Sequence, residues 1–310
     1  MNQIKKILLT GSTGMVGKNI HEHAEAVHYE ILAPSRNELN LLSSQSAHDY
    51  LQRSKPDLII HSAGRVGGIQ ANMKNPVSFL VENLDMGRNI LLAAREAKVT
   101  NFLNLASSCM YPRNAESPLT EDLILKGELE PTNEGYALAK IAIMKLCQYL
   151  QKEDSHLKYK TIVPCNLYGR WDKFSPEHSH MVPAVISKIH AAKSSHAKTV
   201  EIWGDGTARR EFMFTGDLAD LIFRAVSRFD QLPEVMNVGL GQDYSILEYY
   251  QAIAEVIGFQ GEFSFDLSKP IGMKRKMVDV QLQTAFGWKP KISLKQGILK
   301  TYQFYLENIL

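Results

Sequence analysis

KILLTGSTGMVGKNI, residues 6–20, reads as a short apolar strand at 6–10, a glycine turn, and the start of a helical stretch running to about residue 28. Gly11, Gly14 and Gly17 form a GxxGxxG pattern between strand and helix. Glycines there permit a tight turn, close approach of the backbone to a pyrophosphate, and close helix packing, with the helix start facing the phosphates. The whole turn, Gly11, Ser12, Thr13, Gly14, Met15, Val16 and Gly17, is thus the candidate dinucleotide-binding segment. A second strand at 30–35 runs into Arg36. In such a fold an acidic residue at that point holds the ribose 2′-OH of NAD, whereas an arginine can pair with the 2′-phosphate of NADP. Arg36 therefore points to NADP(H). Further strands are predicted at 57–63 (DLIIHSA), 101–106 and 158–163, with helices at 77–97 and from Tyr136 to about 153. Continuous apolar runs suit parallel strands covered on both faces. The alternation predicts an α/β fold, a Rossmann-type doubly wound parallel sheet.

Beyond Pro164 the pattern loosens. PCNLYGRWDKFSPEHSH is irregular, a helical stretch follows at 181–195, and 200–203 leads through GDG into ARREFMFTGDLADLIFRAV. Residues 205–240, with a strand at 234–239, are expected to return to the main sheet, so that 1–164 with 205–240 forms the NADP-binding domain. Residues 165–204 and 241–310 are expected to form a smaller substrate-binding lobe, with the substrate between the two. At 310 residues and 45% hydrophobic, the chain can bury a full core. Its net charge of +2 comes from interspersed charges with no basic stripe, which argues against nucleic acid as a partner. No apolar segment near the N-terminus is long enough for export or membrane spanning, so no membrane association and a cytoplasmic location are expected. Three cysteines, Cys109, Cys147 and Cys165, show neither a CxxC pair nor zinc-ligand spacing, so no metal site is expected.

The chemistry concentrates between residues 105 and 140, which read LASSCMYP, a polar loop, then EPTNEGYALAK. With Tyr136 at a helix start, Lys140 lies one turn on along the same face. A phenol of ordinary pKa is a poor proton donor at neutral pH, and a nearby ammonium is expected to bring it towards the working range. The pair suggests proton transfer to a carbonyl oxygen, with Ser107 or Ser108 as hydrogen-bonding partner.

The combination GSTGMVG, SRNELNLL, RVGGIQAN, SSCMYP, LEPTNEGYALAK, CNLYGRWDKF, SHMVPA and WGDGTARREF resembles the GDP-L-fucose synthase branch of the extended short-chain dehydrogenase/reductase family, over about residues 6–308. The resemblance implies epimerisation of GDP-4-keto-6-deoxy-mannose at carbons 3 and 5, then reduction of carbon 4 with NADPH by a homodimer. It assigns proton exchange at the sugar to Cys109 and His180, proton donation to Tyr136, tuning of that tyrosine and a bond to the nicotinamide ribose to Lys140, and the hydrogen bond to the reacting oxygen to Ser107. It also puts Pro164, Cys165, Asn166, Leu167 and His180 near the cofactor, and Lys188, Trp203 and Arg210 around the GDP group. Cations suit a diphosphate and an aromatic face can stack on guanine. The thiols of Cys147 and Cys165 are read as structural. Three positions depart from the pattern. Ile271, within Lys269, Pro270, Ile271 and Gly272, replaces an aspartate; Thr13 stands where some relatives carry an arginine; Gly135 replaces a proline. These bear on the sugar, leaving a 6-deoxy-heptose, the dideoxy precursor of colitose, or reduction without epimerisation as alternatives. A non-catalytic NADP(H) sensor on the same fold is the rival of another class.

Overall fold

A strand covered on both faces must be apolar on both, and KILLT, LIIH, NFLNL, KYKTIVP and VMNV meet that requirement with nearly unbroken burial. The computed structural model of the protein describes residues 4–175, 179–269 and 273–310. Ile271 and its neighbours Pro270 and Gly272, where the sequence departs from its relatives, lie outside these. The first half alternates as expected: β1 (Lys6–Thr10), α1 (Met15–His21), β2 (Glu30–Leu32), α2 (Ser44–Ser54), β3 (Leu58–His61), α3 (Ile69–Lys74), α4 (Pro76–Glu96), β4 (Asn101–Leu105), α5 (Glu134–Glu153) and β5 (Lys158–Pro164). Then come β6 (Asn166–Tyr168), α6 (Met181–Ser194), β7 (Thr199–Trp203), β8 (Arg209–Arg210), β9 (Phe212–Phe214), α7 (Thr215–Ser227) and β10 (Val235–Val238). The chain finishes with β11 (Tyr244–Ser245), α8 (Ile246–Ile257), β12 (Glu262–Asp266), β13 (Arg275–Lys276), α9 (Gln281–Ala285) and α10 (Leu294–Asn308).

Six strands form one sheet in the order β10-β5-β4-β3-β1-β2, every pair parallel. The doubly wound sheet expected from the sequence is thus observed. Alternate residues face opposite layers. Leu8, Ile59, Phe102 and Tyr159 pack with α2, α4 and α5, while Ile7, Leu9, Ile60 and Ile162 pack with Ile20 of α1 and Leu218 and Ile222 of α7. Each such fully buried aliphatic side chain contributes about 1.5–3 kcal/mol. The strand order reverses between β1 and β3, which opens a crevice at their C-terminal ends. A second core, built from α6, α8, α10 and β7, includes Ile186, Ile202, Tyr249 and Ile298. Serine-led capping boxes, Ser245 with Glu248 and Ser293 with Gln296, start two of its helices.

Three expectations need adjustment. The first helix stops at His21, and residues 24–28 form a separate 3-10 turn begun by the ring of His23. Strand β2 stops at Leu32, because Pro34 cannot donate to a ladder and Glu38 turns the chain by accepting from the Ser35 N–H and hydroxyl, each at 2.8 Å. RVGGIQANMKNP, whose glycines and asparagines predict a loop, holds the short helix α3, closed by Asn72 Nδ2 donating to Gly67 O and Gly68 O.

Candidate active site

The crevice is floored by the glycine turn. Gly11 has φ 72°, and a side chain there would stand 2.7 Å from the backbone of Ala63 at the end of β3. Gly17 is equally committed, since a Cβ would lie 2.3 Å from Gly11 O. Gly14, by contrast, opens outward: a Cβ built on it would meet only Gly11 O, at 3.4 Å, leaving room for a bulky phosphate group beside the backbone. Ser12 is partly covered and Thr13 exposed, while Met15 and Val16 open α1 half-buried. Arg36 is exposed beyond the end of β2 and has no ion pair among the described residues. The nearby carboxylate of Glu38 is occupied by Ser35. A cation facing solvent, with the neighbouring acid turned away, suits a 2′-phosphate better than a bare ribose. Pro164 ends β5, and Cys165, Asn166 and Leu167 continue from it. Cys165 is buried, and its thiol is pushed well above its usual range by burial and by Glu211. Asn166 Nδ2 donates to Glu211 O.

At the end of β4 the chain stays extended through Ser107 and then makes a 3-10 turn over Ser108–Met110. Ser107 Oγ accepts the Cys109 N–H at 3.4 Å, which fixes the thiol relative to the serine. Helix α5 presents Tyr136 and Lys140 on one face. Gly135 lets it start against α4, because a Cβ there would stand 3.0 Å from Pro76 O. The Tyr136 ring meets the edge of Phe79, and Ser107 stands close enough to act on its phenol. Ser107 is therefore the serine that faces the tyrosine; Ser108 is buried in the turn.

The electrostatics correct one expectation. Burial pushes the Tyr136 phenol upward, Cys109 pushes it further, and the Ser107 hydrogen bond only partly offsets them. Lys140 does not lower it here: its Nζ lies 5.7 Å from the ring centroid and donates to Leu105 O at 2.9 Å. Desolvation brings Lys140 itself down to about 8. The Cys109 thiol is raised by burial, opposed by Lys276, then by the Ser107 hydrogen bond, then by Lys140. His61, beside this group, is a neutral structural residue. Burial and Lys140 pull it to about 3, and its Nδ1 is hydrogen-bonded to Thr10 Oγ1.

Ser107, Cys109, Tyr136 and Lys140 thus share one neighbourhood. His180 sits immediately before α6, linked to it through the 64–68 loop. A Cβ on Gly64 would lie 3.7 Å from Lys140 Nζ, one on Gly68 would lie 3.4 Å from Ser179 O, and Lys173 Nζ reaches Val66 O. His180 is an exposed residue whose ring is nonetheless crowded by protein, and desolvation with Lys173 lowers its pKa. Lys188 on α6 donates to Glu201 O, two residues before the half-exposed Trp203, so both mark one end of β7. Arg210 stands apart from them on β8, opposite Glu130 and in register with Lys276 of β13. The sequence reading missed Lys276, whose short KRK run carries no periodic signal. Its pairing with Arg210 on β8 and the contacts of Met277 with residues 117–119 bring it to this side of the site.

Residues 7–239 match the NAD dependent epimerase/dehydratase family. The chain is 56% identical to the GDP-L-colitose synthase of Yersinia pseudotuberculosis, over 98% of each chain. It is 47% identical to the GDP-L-fucose synthase of Azorhizobium caulinodans, over 99% of this chain and 98% of that one. Among solved structures, the GDP-mannoheptose C4 reductase of Campylobacter jejuni with NADP bound superposes with a TM-score of 0.89 over 99% of both chains, at 28% identity. The sheet, the glycine turn and this full-length similarity together make the chain a member of the NAD dependent epimerase/dehydratase family, in its extended short-chain dehydrogenase/reductase form.

Proposed function

We propose that the protein converts GDP-4-keto-6-deoxy-D-mannose to GDP-L-fucose, by epimerisation at carbons 3 and 5 and NADPH-dependent reduction at carbon 4. The observation that carries this is the clustering of Ser107, Cys109 and Tyr136 where the end of β4 meets the start of α5: Ser107 Oγ accepts the Cys109 N–H, and the thiol and the serine both act on the phenol. A reductase alone needs the serine, the tyrosine and the lysine; a thiol directly beside them serves proton exchange on the carbons flanking the same ketone. When Cys109 takes a proton from such a carbon, the C–H bond breaks and S–H forms. The electron pair moves into an enolate whose oxygen is held by Tyr136 and Ser107. His180 exchanges the proton on the other face. NADPH, when bound, supplies the hydride for the final reduction. Tyr136 then donates its proton to the carbon 4 oxygen, and Lys140 stands next to the reacting groups, where a ribose hydroxyl would engage it. The turn 11–17, Arg36 and residues 164–167 hold the cofactor, and Lys188, Trp203 and Arg210 hold the GDP group.

Residues 1–164 with 205–240 serve as the cofactor-binding unit, and 165–204 with 241–310 as the substrate lobe. A cytoplasmic homodimer suits this reading. Val77 and Val81 of α4 and Leu138 of α5 are exposed, 72%, 45% and 42% respectively, and offer an apolar face to a second copy. No helix among the described residues is long and apolar enough to cross a membrane.

The 56% identity to a GDP-L-colitose synthase favours a second reading, in which the sugar lacks the 3-hydroxyl. One experiment separates the two: incubation with NADPH and each ketosugar in deuterated water, following absorbance and product NMR. Deuterium at carbons 3 and 5 of an L-fuco product supports the first reading. Turnover confined to the 3-deoxy substrate replaces it with the second, and NADPH oxidation without deuterium incorporation refutes epimerisation.

A further inference from the structure

We propose that Lys276 is a positioning residue for the epimerisation step, its ammonium held beside the Cys109 thiol as the counter-charge to the thiolate. The inference rests on the reading of Cys109 as a proton-exchanging group, and it concerns a residue that no motif identifies.

The placement follows from strand geometry. Arg275 and Lys276 pair in parallel register with Arg209 and Arg210. Side chains alternate along a strand. Arg209 and Arg275 both point to Asp243, which takes one guanidinium on each oxygen, so Arg210 and Lys276 face the other way, towards the cleft. The residues that follow are tied to the loop that begins at Ser107. Leu119 N donates to Met277 O and Asp279 N to Leu119 O, both at 2.9 Å, while Met277 N donates to Ser117 Oγ at 3.2 Å. Val278 N is held separately by Glu211 Oε2 at 2.9 Å. The backbone that carries Lys276 is thereby tied to residues 117–119 of the loop that follows Cys109.

The charges around the pair are few. Lys276 feels Cys109, Arg210, Glu130 and Cys165; Cys109 feels Lys276 and Lys140, with Tyr136 adjacent. Of the two cations Lys276 acts more strongly on the thiol, and Lys140 is already bonded to Leu105 O. Burial works against a thiolate here and against the Lys276 ammonium as well, and the two charges offset one another's desolvation.

The test is the pH dependence of iodoacetamide alkylation at Cys109, read by mass spectrometry of its peptide, in the full-length protein and in Lys276→Met and Lys276→Arg. A neighbouring unit charge in a partly desolvated site shifts a titration by about one unit. The methionine variant should therefore have a thiol pKa higher by about one unit and alkylate about ten-fold more slowly at pH 7.5. Deuterium exchange into the ketosugar should slow by about the same factor, while reduction of a pre-epimerised ketosugar is kept. The arginine variant should recover most of the alkylation rate, and it answers the question alone if the methionine variant misfolds, because a purely steric role would not keep the thiol reactive. An alkylation profile of Lys276→Met that superposes on the parent overturns the proposal. So does a rise in KM for the GDP-sugar with unchanged alkylation, which would make Lys276 an anion contact. Alkylation needs no substrate, so failure of the functional reading, seen as no exchange with any ketosugar, is distinguishable from failure of this one.

Discussion

Replacing Glu211 tests a buried clamp that holds the β8–β9 segment to the backbone at residues 240–241 and 278. The carboxylate is 1% exposed and accepts three backbone N–H groups: Leu240 at 2.6 Å and Gly241 at 2.9 Å on Oε1, and Val278 at 2.9 Å on Oε2. Glu211→Ala leaves three donors in a dry site. Each buried unsatisfied donor costs about 1–3 kcal/mol, so the loss should be roughly 3–9 kcal/mol, towards the low end if water enters the gap. Glu211→Gln keeps the two bonds on Oε1 but turns an NH2 group towards the Val278 N–H, and should cost about 1–3 kcal/mol. A second signature is pH dependence. Burial raises the Glu211 carboxyl to about 7 against its three hydrogen bonds, with Asp243 adding to the rise. The folded state therefore binds this proton more tightly than the unfolded chain does, and stability falls as pH rises from about 4.5 to about 7. At ~1.4 kcal/mol per unit, that fall is up to roughly 3 kcal/mol. Urea unfolding at pH 5, 6 and 7.5, followed by circular dichroism, measures both effects. The glutamine variant should lose this part of the pH slope. An alanine variant within 1 kcal/mol of the parent, or a glutamine variant with the slope intact, would refute the clamp.

Tyr136→Phe should lower reduction by at least about 100-fold, the scale of a lost general acid, with NADPH affinity by fluorescence nearly unchanged; parental turnover would remove Tyr136 from the chemistry. Cys109→Ala should stop deuterium exchange at the sugar while a pre-epimerised ketosugar is still reduced, and loss of both activities would show that the roles are not separable. Arg36→Ala should raise the KM for NADPH by about 10–100-fold, as expected for one charge-assisted contact, and leave that for NADH unchanged; equal effects on both cofactors would place the 2′-phosphate elsewhere. Gly17→Ala would set a methyl 2.3 Å from Gly11 O and 2.6 Å from Ser12 Cα, so α1 must shift, at about 1–3 kcal/mol and with weakened cofactor binding. A thermal scan and a cofactor titration both at parental values would show the turn to be looser than its geometry.

What could be read from the sequence was what local rules determine. The glycine turn is legible because each glycine answers a local need, visible as the left-handed φ at Gly11 and the close approach at Gly17. The strands are legible because a parallel sheet buried on both faces demands unbroken apolar runs. Ser107, Tyr136 and Lys140 follow from one strand end and one helix start. The second wall of the site obeys no such rule. Lys276 and Arg210 are 66 residues apart and meet only because two-residue strands pair, and nothing in the periodicity of so short a strand can be detected. Glu211 reads as one more charge in ARREF, yet its burial follows from three amides that arrive from two distant segments.

The miss at Tyr136 has a related cause. Sequence spacing puts Lys140 on the correct face but says nothing of Leu105 O, which takes the ammonium at 2.9 Å and leaves the phenol to be governed by burial. Lys140 can act on the tyrosine only if something draws it from that carbonyl. A ligand hydroxyl bridging the two groups would do so, which ties the acid strength of Tyr136 to occupation of the site. A buried phenol of raised pKa is consistent with a working acid, because it keeps the proton it would donate. The same reasoning gives the Cys109 corner its asymmetry, since Lys276 is anchored through its strand and needs no ligand to stand beside the thiol. The Tyr136 phenol is thus governed by burial, and the Cys109 thiol by burial set against Lys276.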